Sequence, residues 1–205
     1  KGQAKPKKVV GRLRKTQLVT AFGNGSIVDM PDYSVIIAGA NYWKDSSPVL
    51  HEPNLEKLLK VSHFKEPYVS NSQDDEMTPD VPAFRFPYYH FCPDPNCGKL
   101  MPYWGFGDEA DRGCANGHPK RSIVPSRFIA ACINGHLEDF PYEWWVHYGN
   151  FSECPADKRN GALRISFSDE TGGLDSIVIK CTACGKIRTM TGSMAKDALR
   201  GYSCR

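Results

Sequence analysis

The sequence predicts an α+β fold built from small antiparallel sheets. Three observations carry this reading. Short runs of β-branched and aromatic residues are separated by Gly, Pro and Asn turns. No strand–helix–strand alternation and no dinucleotide-binding glycine fingerprint occurs, which sets aside doubly wound folds. Eight cysteines, all between positions 92 and 204, lie partly in paired turns, a pattern that suits small metal-held modules.

The elements follow in chain order. Residues 1–15 carry Lys1, Lys5, Lys7, Lys8, Arg12, Arg14 and Lys15 and no acid, and they are read as a basic arm. The rest of the chain holds 19 basic against 23 acidic residues, so the net charge of +3 resides in the arm and the body is mildly acidic. Residues 16–64 form an N-terminal α+β unit. In it, 17–22 is a short helix or strand, and Phe22-Gly23-Asn24-Gly25-Ser26 is a turn. Residues 27–30 and 34–38 are two strands about Pro31-Asp32-Tyr33. A helix is expected over 54–61, capped by Asn54, with Leu55, Leu58 and Leu59 on one face directed to the core.

Residues 65–83, with their Pro, Ser and acidic residues, read as a linker or long loop. Residues 84–125 are a first cysteine module, opened by Phe84, Phe86, Tyr88, Tyr89 and Phe91, which are expected mainly as core. Residues 126–205 are a second module. Its expected elements are a helix start at Asp139-Phe140-Pro141, leading into buried Trp144 and Trp145, and strands at 164–167 and 176–180.

Composition limits the function classes. With 40% hydrophobic and 24% charged residues, the chain is that of an ordinary folded protein. No run approaches the roughly 20 apolar residues of a membrane span, and no secretory signal opens the sequence, so a cytoplasmic protein with no membrane partner is expected. In a reducing compartment, clustered cysteines point to metal rather than to disulfides.

Cys92-x4-Cys97 followed by Cys114-x3-His118 supplies three thiols and an imidazole from glycine-containing turns, the donor set of structural zinc. Cys181-Thr182-Ala183-Cys184-Gly185 has the form of a zinc-ribbon knuckle and supplies two ligands of a second site. Cys154 with Cys204 completes it on the favoured reading, because this leaves no lone cysteine at the chain end. Cys132-x3-His136 is the alternative pair, and the spacing alone leaves both open. Two zinc-ribbon-like modules with two Zn2+ ions are therefore expected.

A thioredoxin-like role for Cys181-x-x-Cys184 requires a long following helix, which Thr189, Thr191 and Gly192 oppose. A catalytic zinc requires an open coordination position and a base. Neither His-Glu-x-x-His nor the deaminase pattern is present, and the cluster of His136, Glu138 and His147 has no simple helical spacing. No catalytic residue is assigned. The basic arm suits phosphate backbones, so Lys7, Lys8, Arg12, Arg14 and Lys15 are the candidate DNA contacts.

Several ordered segments resemble one family. They are Arg14-Lys15-Thr16-Gln17-Leu18-Val19, Phe22-Gly23-Asn24-Gly25-Ser26-Ile27-Val28-Asp29, and Pro125-Ser126-Arg127-Phe128-Ile129-Ala130-Ala131-Cys132. Gly135-His136-Leu137-Glu138-Asp139-Phe140-Pro141, Trp144-Trp145-Val146-His147 and Thr171-Gly172-Gly173-Leu174 follow, then Ile177-Val178-Ile179-Lys180-Cys181 with Cys184-Gly185. Spread over residues 12–205, they resemble DrmB proteins, subunits of the bacterial anti-phage system DISARM. The resemblance implies an N-terminal portion of a longer protein. It also implies a partner, the DrmA-like helicase or ATPase, and a complex that engages DNA. The Cys92-x4-Cys97 turn is longer than the Cys-x2-Cys of such knuckles. The expected function is that of a non-catalytic zinc-binding accessory subunit. A stand-alone zinc-ribbon nucleic-acid-binding protein and a zinc hydrolase are the alternatives.

Overall fold

The computed structural model describes residues 11–30, 33–43, 46–67, 81–108, 112–155, 157, 160–168 and 172–203. The chain forms two compact units, Lys1–Phe86 and Pro87–Arg205.

In the first unit, residues Lys15–Val19 form a 3-10 turn. Strands β1 (Ile27–Asp29) and β2 (Ser34–Ile37) then pair antiparallel, with Val28 opposite Val35. A two-residue strand β3 (Val49–Leu50), helix α1 (Pro53–Leu59), strand β4 (Phe64–Lys65) and strand β5 (Ala83–Arg85) follow. β5 adds to β2, giving the sheet order β1-β2-β5, and β3 pairs with β4. Alternation along the strands directs Val28, Val35 and Ile37 inward, where Leu18, Phe22 and Val81 pack on them.

Because β5 belongs to this sheet, the compact unit extends to Phe86, past the boundary at 83/84 that composition had drawn. Helix α1 also departs from expectation. Pro53, not Asn54, opens it, and Glu56 accepts the Glu52 N–H. None of its residues is buried, and Leu55, Leu58 and Leu59 stand 47%, 73% and 57% exposed. Helical periodicity reports that a helix has an apolar face, not that a core lies opposite it.

The second unit contains β6 (Tyr89–Phe91), β7 (Leu100–Pro102), β8 (Val124–Pro125), β9 (Ile129–Ala131) and β10 (Leu137–Asp139). Helix α2 (Tyr142–His147) and strands β11 (Leu163–Phe167), β12 (Ile177–Cys181) and β13 (Ile187–Thr189) complete it. Three antiparallel groups result: β7-β6-β8, the hairpin β9–β10, and β11-β12-β13. The architecture is thus α+β with small antiparallel sheets.

The larger of two apolar clusters in this unit joins its sheets to α2. Leu100 from β7, Leu163 and Ile165 from β11, Ile179 from β12 and Met190 after β13 meet Phe140, Tyr142, Trp145 and Val146. Cys92, Cys97 and Cys114 belong to a second cluster with Phe106, and both clusters lie in this one compact unit. Tyr142 is fully buried, and its hydroxyl is satisfied by the Ser126 hydroxyl, as a buried phenol requires. Trp145 is buried and donates its indole N–H to the Thr189 carbonyl, tying α2 to β13. Its neighbour Trp144 is half-buried, and Phe84 and Tyr88 are 44% and 39% exposed. Asp139 ends β10 rather than capping α2. Its carboxylate accepts the Tyr88 and Tyr89 N–H groups and so links β10 to the start of β6. No helix among the described residues is long and apolar enough to cross a membrane.

Candidate metal centres

The first centre is built on the β6–β7 hairpin and a later loop. Cys92 follows β6 directly, and its N–H donates to the Lys99 carbonyl across the hairpin. The four-residue spacer before Cys97 is longer than a two-residue knuckle, and Asp94 organises it. The Asp94 carbonyl accepts the N–H groups of Cys97 and Gly98, its carboxylate accepts the Asn96 N–H, and Arg121 pairs with it at 3.0 Å. Gly98 has φ +54°, and a Cβ there would stand 2.1 Å from the Ile165 carbonyl oxygen, so the knuckle can approach β11 only with glycine. Cys114 is held by two backbone hydrogen bonds with Arg121, and the intervening turn presents His118.

The ligand atoms of Cys92, Cys97, Cys114 and His118 all lie within 4.8 Å of one another. Cys97 Sγ is 3.7 Å from Cys114 Sγ, and Cys92 Sγ is 3.4 Å from His118 Nε2. A tetrahedral ion with bonds of about 2.3 Å to sulfur and about 2.0 Å to nitrogen sets S···S edges of roughly 3.8 Å and S···N edges of roughly 3.5 Å. The donor set therefore has the size of a closed tetrahedral site. His118 Nδ1 lies 2.7 Å from the Pro119 carbonyl, which takes that N–H and leaves Nε2 as the donor to a metal.

The thiols are polarised unequally. Burial pushes Cys92 up to about 12. Burial also opposes ionisation of Cys97, but the Lys99 N–H, the His118 ring and the Asn116 amide outweigh it and bring this thiol to about 7. His118 is raised, first by its bond to the Pro119 carbonyl and then by Cys97. An ion here would have to hold Cys92 as thiolate against its burial, which a divalent charge does readily.

The second centre joins the β12–β13 knuckle to the end of α2 and the turn after it. Cys181 ends β12 and Cys184 lies in the turn to β13. The Cys181 N–H donates to the Lys186 carbonyl, and the Gly185 N–H donates to that of Cys181. Cys154 comes from the turn after α2, its N–H bonded to the Phe151 carbonyl. The fourth group is His147, in the last turn of α2. Tyr148 at φ +53° and Gly149 at +72° end the helix immediately after it. The four ligand atoms again fall within 4.8 Å, with Cys154 Sγ 3.7 Å from Cys181 Sγ and Cys184 Sγ 3.4 Å from His147 Nε2. His147 Nδ1 is 2.6 Å from the Glu143 carbonyl, so this histidine too keeps Nε2 for a metal.

Burial pushes Cys154 up to about 12. Cys184 is held below the ordinary thiol value, because the Lys186 N–H and the thiols of Cys181 and Cys154 outweigh its burial. A short β13 hairpin, not a long helix, follows the knuckle, which removes the context of a thioredoxin-like redox motif.

The sequence reading completes this site with Cys154 and Cys204, or with Cys132 and His136, whereas the structure brings Cys154 and His147 to the knuckle. Cys204 lies outside the described residues, and Cys132 and His136 sit on the β9–β10 hairpin, apart from both clusters. A local signal did exist: His147-x6-Cys154 delivers two ligands from one helix end and its exit turn. Of the arm residues, Lys7 and Lys8 lie outside the described residues, Arg12 and Arg14 are exposed, and Lys15 begins the 3-10 turn.

A family described as Domain of unknown function (DUF8724) matches residues 14–205. The chain belongs to this family. DUF8724 thus spans both units and both metal centres. The chain is also similar to the DISARM protein DrmB of Bacillus paralicheniformis (strain ATCC 9945a / NCIMB 11709 / CD-2). The two are 29% identical over 181 residues, which is 86% of this chain and 30% of that protein. This DUF8724 chain therefore spans about 30% of the length of the curated relative it matches. The resemblance read from the motifs and the similarity over 86% of the chain point to the same proteins.

Proposed function

We propose that this chain is a non-catalytic, zinc-scaffolded portion of a DISARM anti-phage complex. The similarity to DrmB over 86% of the chain carries the reading. The first ion is assigned to Cys92, Cys97, Cys114 and His118, and the second to His147, Cys154, Cys181 and Cys184. Three thiolates and one imidazole at tetrahedral spacing favour zinc over harder cations. Four protein ligands leave no position for substrate or an activated water, which supports a structural role over a hydrolase.

The partner implied by the resemblance is a DrmA-like helicase or ATPase, which would hydrolyse ATP while this subunit supports assembly. DNA engagement is assigned to the complex, with Lys7, Lys8, Arg12, Arg14 and Lys15 as the contacts on this chain. The mild acidity of the rest of the chain supports binding through the complex over tight binding alone.

Co-expression with the neighbouring helicase-like protein, followed by size exclusion, tests the reading. A co-eluting complex is expected. Separate elution across a range of salt overturns the accessory role and favours the stand-alone nucleic-acid binder. In the complex, removal of residues 1–15 is expected to flatten the dependence of DNA affinity on salt. An unchanged slope removes the arm as a contact.

A further inference from the structure

We propose a third metal site, distinct from the two cysteine centres, on the cavity face of the β9–β10 hairpin. It takes a zinc-like divalent ion through Cys132, His136 and Glu138. This assignment stands independently of the role in a DISARM complex.

The register places the three residues on one face of the hairpin. Leu137 pairs with Ala131, Glu138 with Ala130 and Asp139 with Ile129. The Cys132 N–H donates to the His136 carbonyl at 3.1 Å, and the Gly135 N–H to that of Cys132 at 3.0 Å. Cys132 and His136 are thus the next opposed pair, at the mouth of the tight turn. Opposed residues of an antiparallel pair have Cβ atoms about 4.5–5.5 Å apart on the same face. Glu138, two residues beyond His136, returns to that face by strand alternation. Asp139, on the other face, is committed to the Tyr88 and Tyr89 amides.

The face opens on a cavity of about 650 Å³, lined also by Lys196, Asp197, Arg200 and Tyr202. Small Ala130 at the base of the hairpin leaves room for an ion and its remaining ligand. Cys132 and Glu138 are half-buried and His136 is exposed, so an ion can enter from solvent. Thiolate, imidazole and carboxylate together suit a borderline-soft divalent ion.

Among the described residues, the two cysteine centres alone bring three or more such atoms within 4.8 Å, so binding at this trio requires its side chains to draw together around the ion. With three protein ligands, the fourth position faces the cavity. Arg200, itself 3.5 Å from Asp197, and Lys196 on the facing wall favour an anionic group there, such as hydroxide or a carboxylate.

The test is cadmium-113 NMR of the full-length protein loaded with cadmium, with the complete metal content measured in parallel. The two cysteine centres give strongly deshielded signals typical of three thiolates. A further signal, in the range of a single thiolate with nitrogen and oxygen ligands, is expected. It should be lost, with one equivalent of metal, in Cys132→Ser/His136→Ala, while the three-thiolate signals persist. Glu138→Gln should shift or broaden it. A wild-type spectrum with no single-thiolate signal overturns the proposal whether or not the variants fold. So does a single-thiolate signal that survives in the double variant.

Discussion

His147 Nε2 stands 3.4 Å from Cys184 Sγ, although 37 residues separate the two in sequence. The contact exists because α2 packs against β12 and β13 and ends with its last turn directed at the knuckle. His147→Ala is therefore expected to lower the metal content by one equivalent and to destabilise the second unit. Cys204→Ser should leave the occupancy of this centre unchanged. Metal analysis of the two purified variants checks both, and loss of this equivalent in Cys204→Ser would restore the all-cysteine site.

Removal of both ions should unfold much of the second unit. Its larger apolar cluster contains the Cys154 and Cys181 thiols, and Cys92, Cys97 and Cys114 make up most of the other. Structural zinc contributes on the order of 10–16 kcal/mol of apparent binding free energy in small modules. The first unit has its own apolar cluster of Val28, Val35 and Ile37, and no metal cluster among its described residues. Hydrogen exchange after chelation should show protection lost chiefly beyond Pro87. Equal loss in both units would contradict this.

Arg188 is clamped between two rings. Its guanidinium carbon lies 3.3 Å from the Trp145 ring centroid and 4.0 Å from that of Tyr148, and Nη1 donates to the Trp145 carbonyl at 2.9 Å. Arg188→Ala should cost about 1–3 kcal/mol, from cation–π contact and a hydrogen bond together. Arg188→Lys should recover little, since an ammonium cannot stack flat and reach the carbonyl at once. Denaturant melts of both variants check the ranking, and recovery by lysine would reduce the clamp to charge alone.

Asp139 gives a pH signature. Burial raises its carboxyl above the ordinary value despite the Tyr88 and Tyr89 N–H bonds. The folded state then holds this proton longer than the unfolded state does. Stability from this group is present at acid pH and is lost as pH rises through the raised pKa. The wild type should therefore gain on Asp139→Asn as pH falls into this window. Asp139→Ala should be worse than Asp139→Asn at neutral pH, by about 1–3 kcal/mol, because two backbone donors lose their acceptor. Melting curves from pH 4 to 8 check both. The opposite trend against Asp139→Asn would show that the amide bonds, not burial, dominate.

The sequence by itself determined the features that depend on neighbouring residues. The β1–β2 hairpin and the β11–β12 pair are set by alternation and by Gly- and Pro-containing turns. Cys92, Cys97, Cys114 and His118 are recognisable because short turns deliver ligands in pairs. The Cys181-x-x-Cys184 knuckle is recognisable for the same reason. Tertiary packing decided the rest. His147 reads only as part of a loose cluster with His136 and Glu138 until α2 docks on β12 and β13 and brings it to three thiols. The leucines of α1 read as core until the fold leaves that face uncovered. A periodic pattern specifies which residues share a face, whereas what lies opposite that face depends on contacts between residues far apart in the chain.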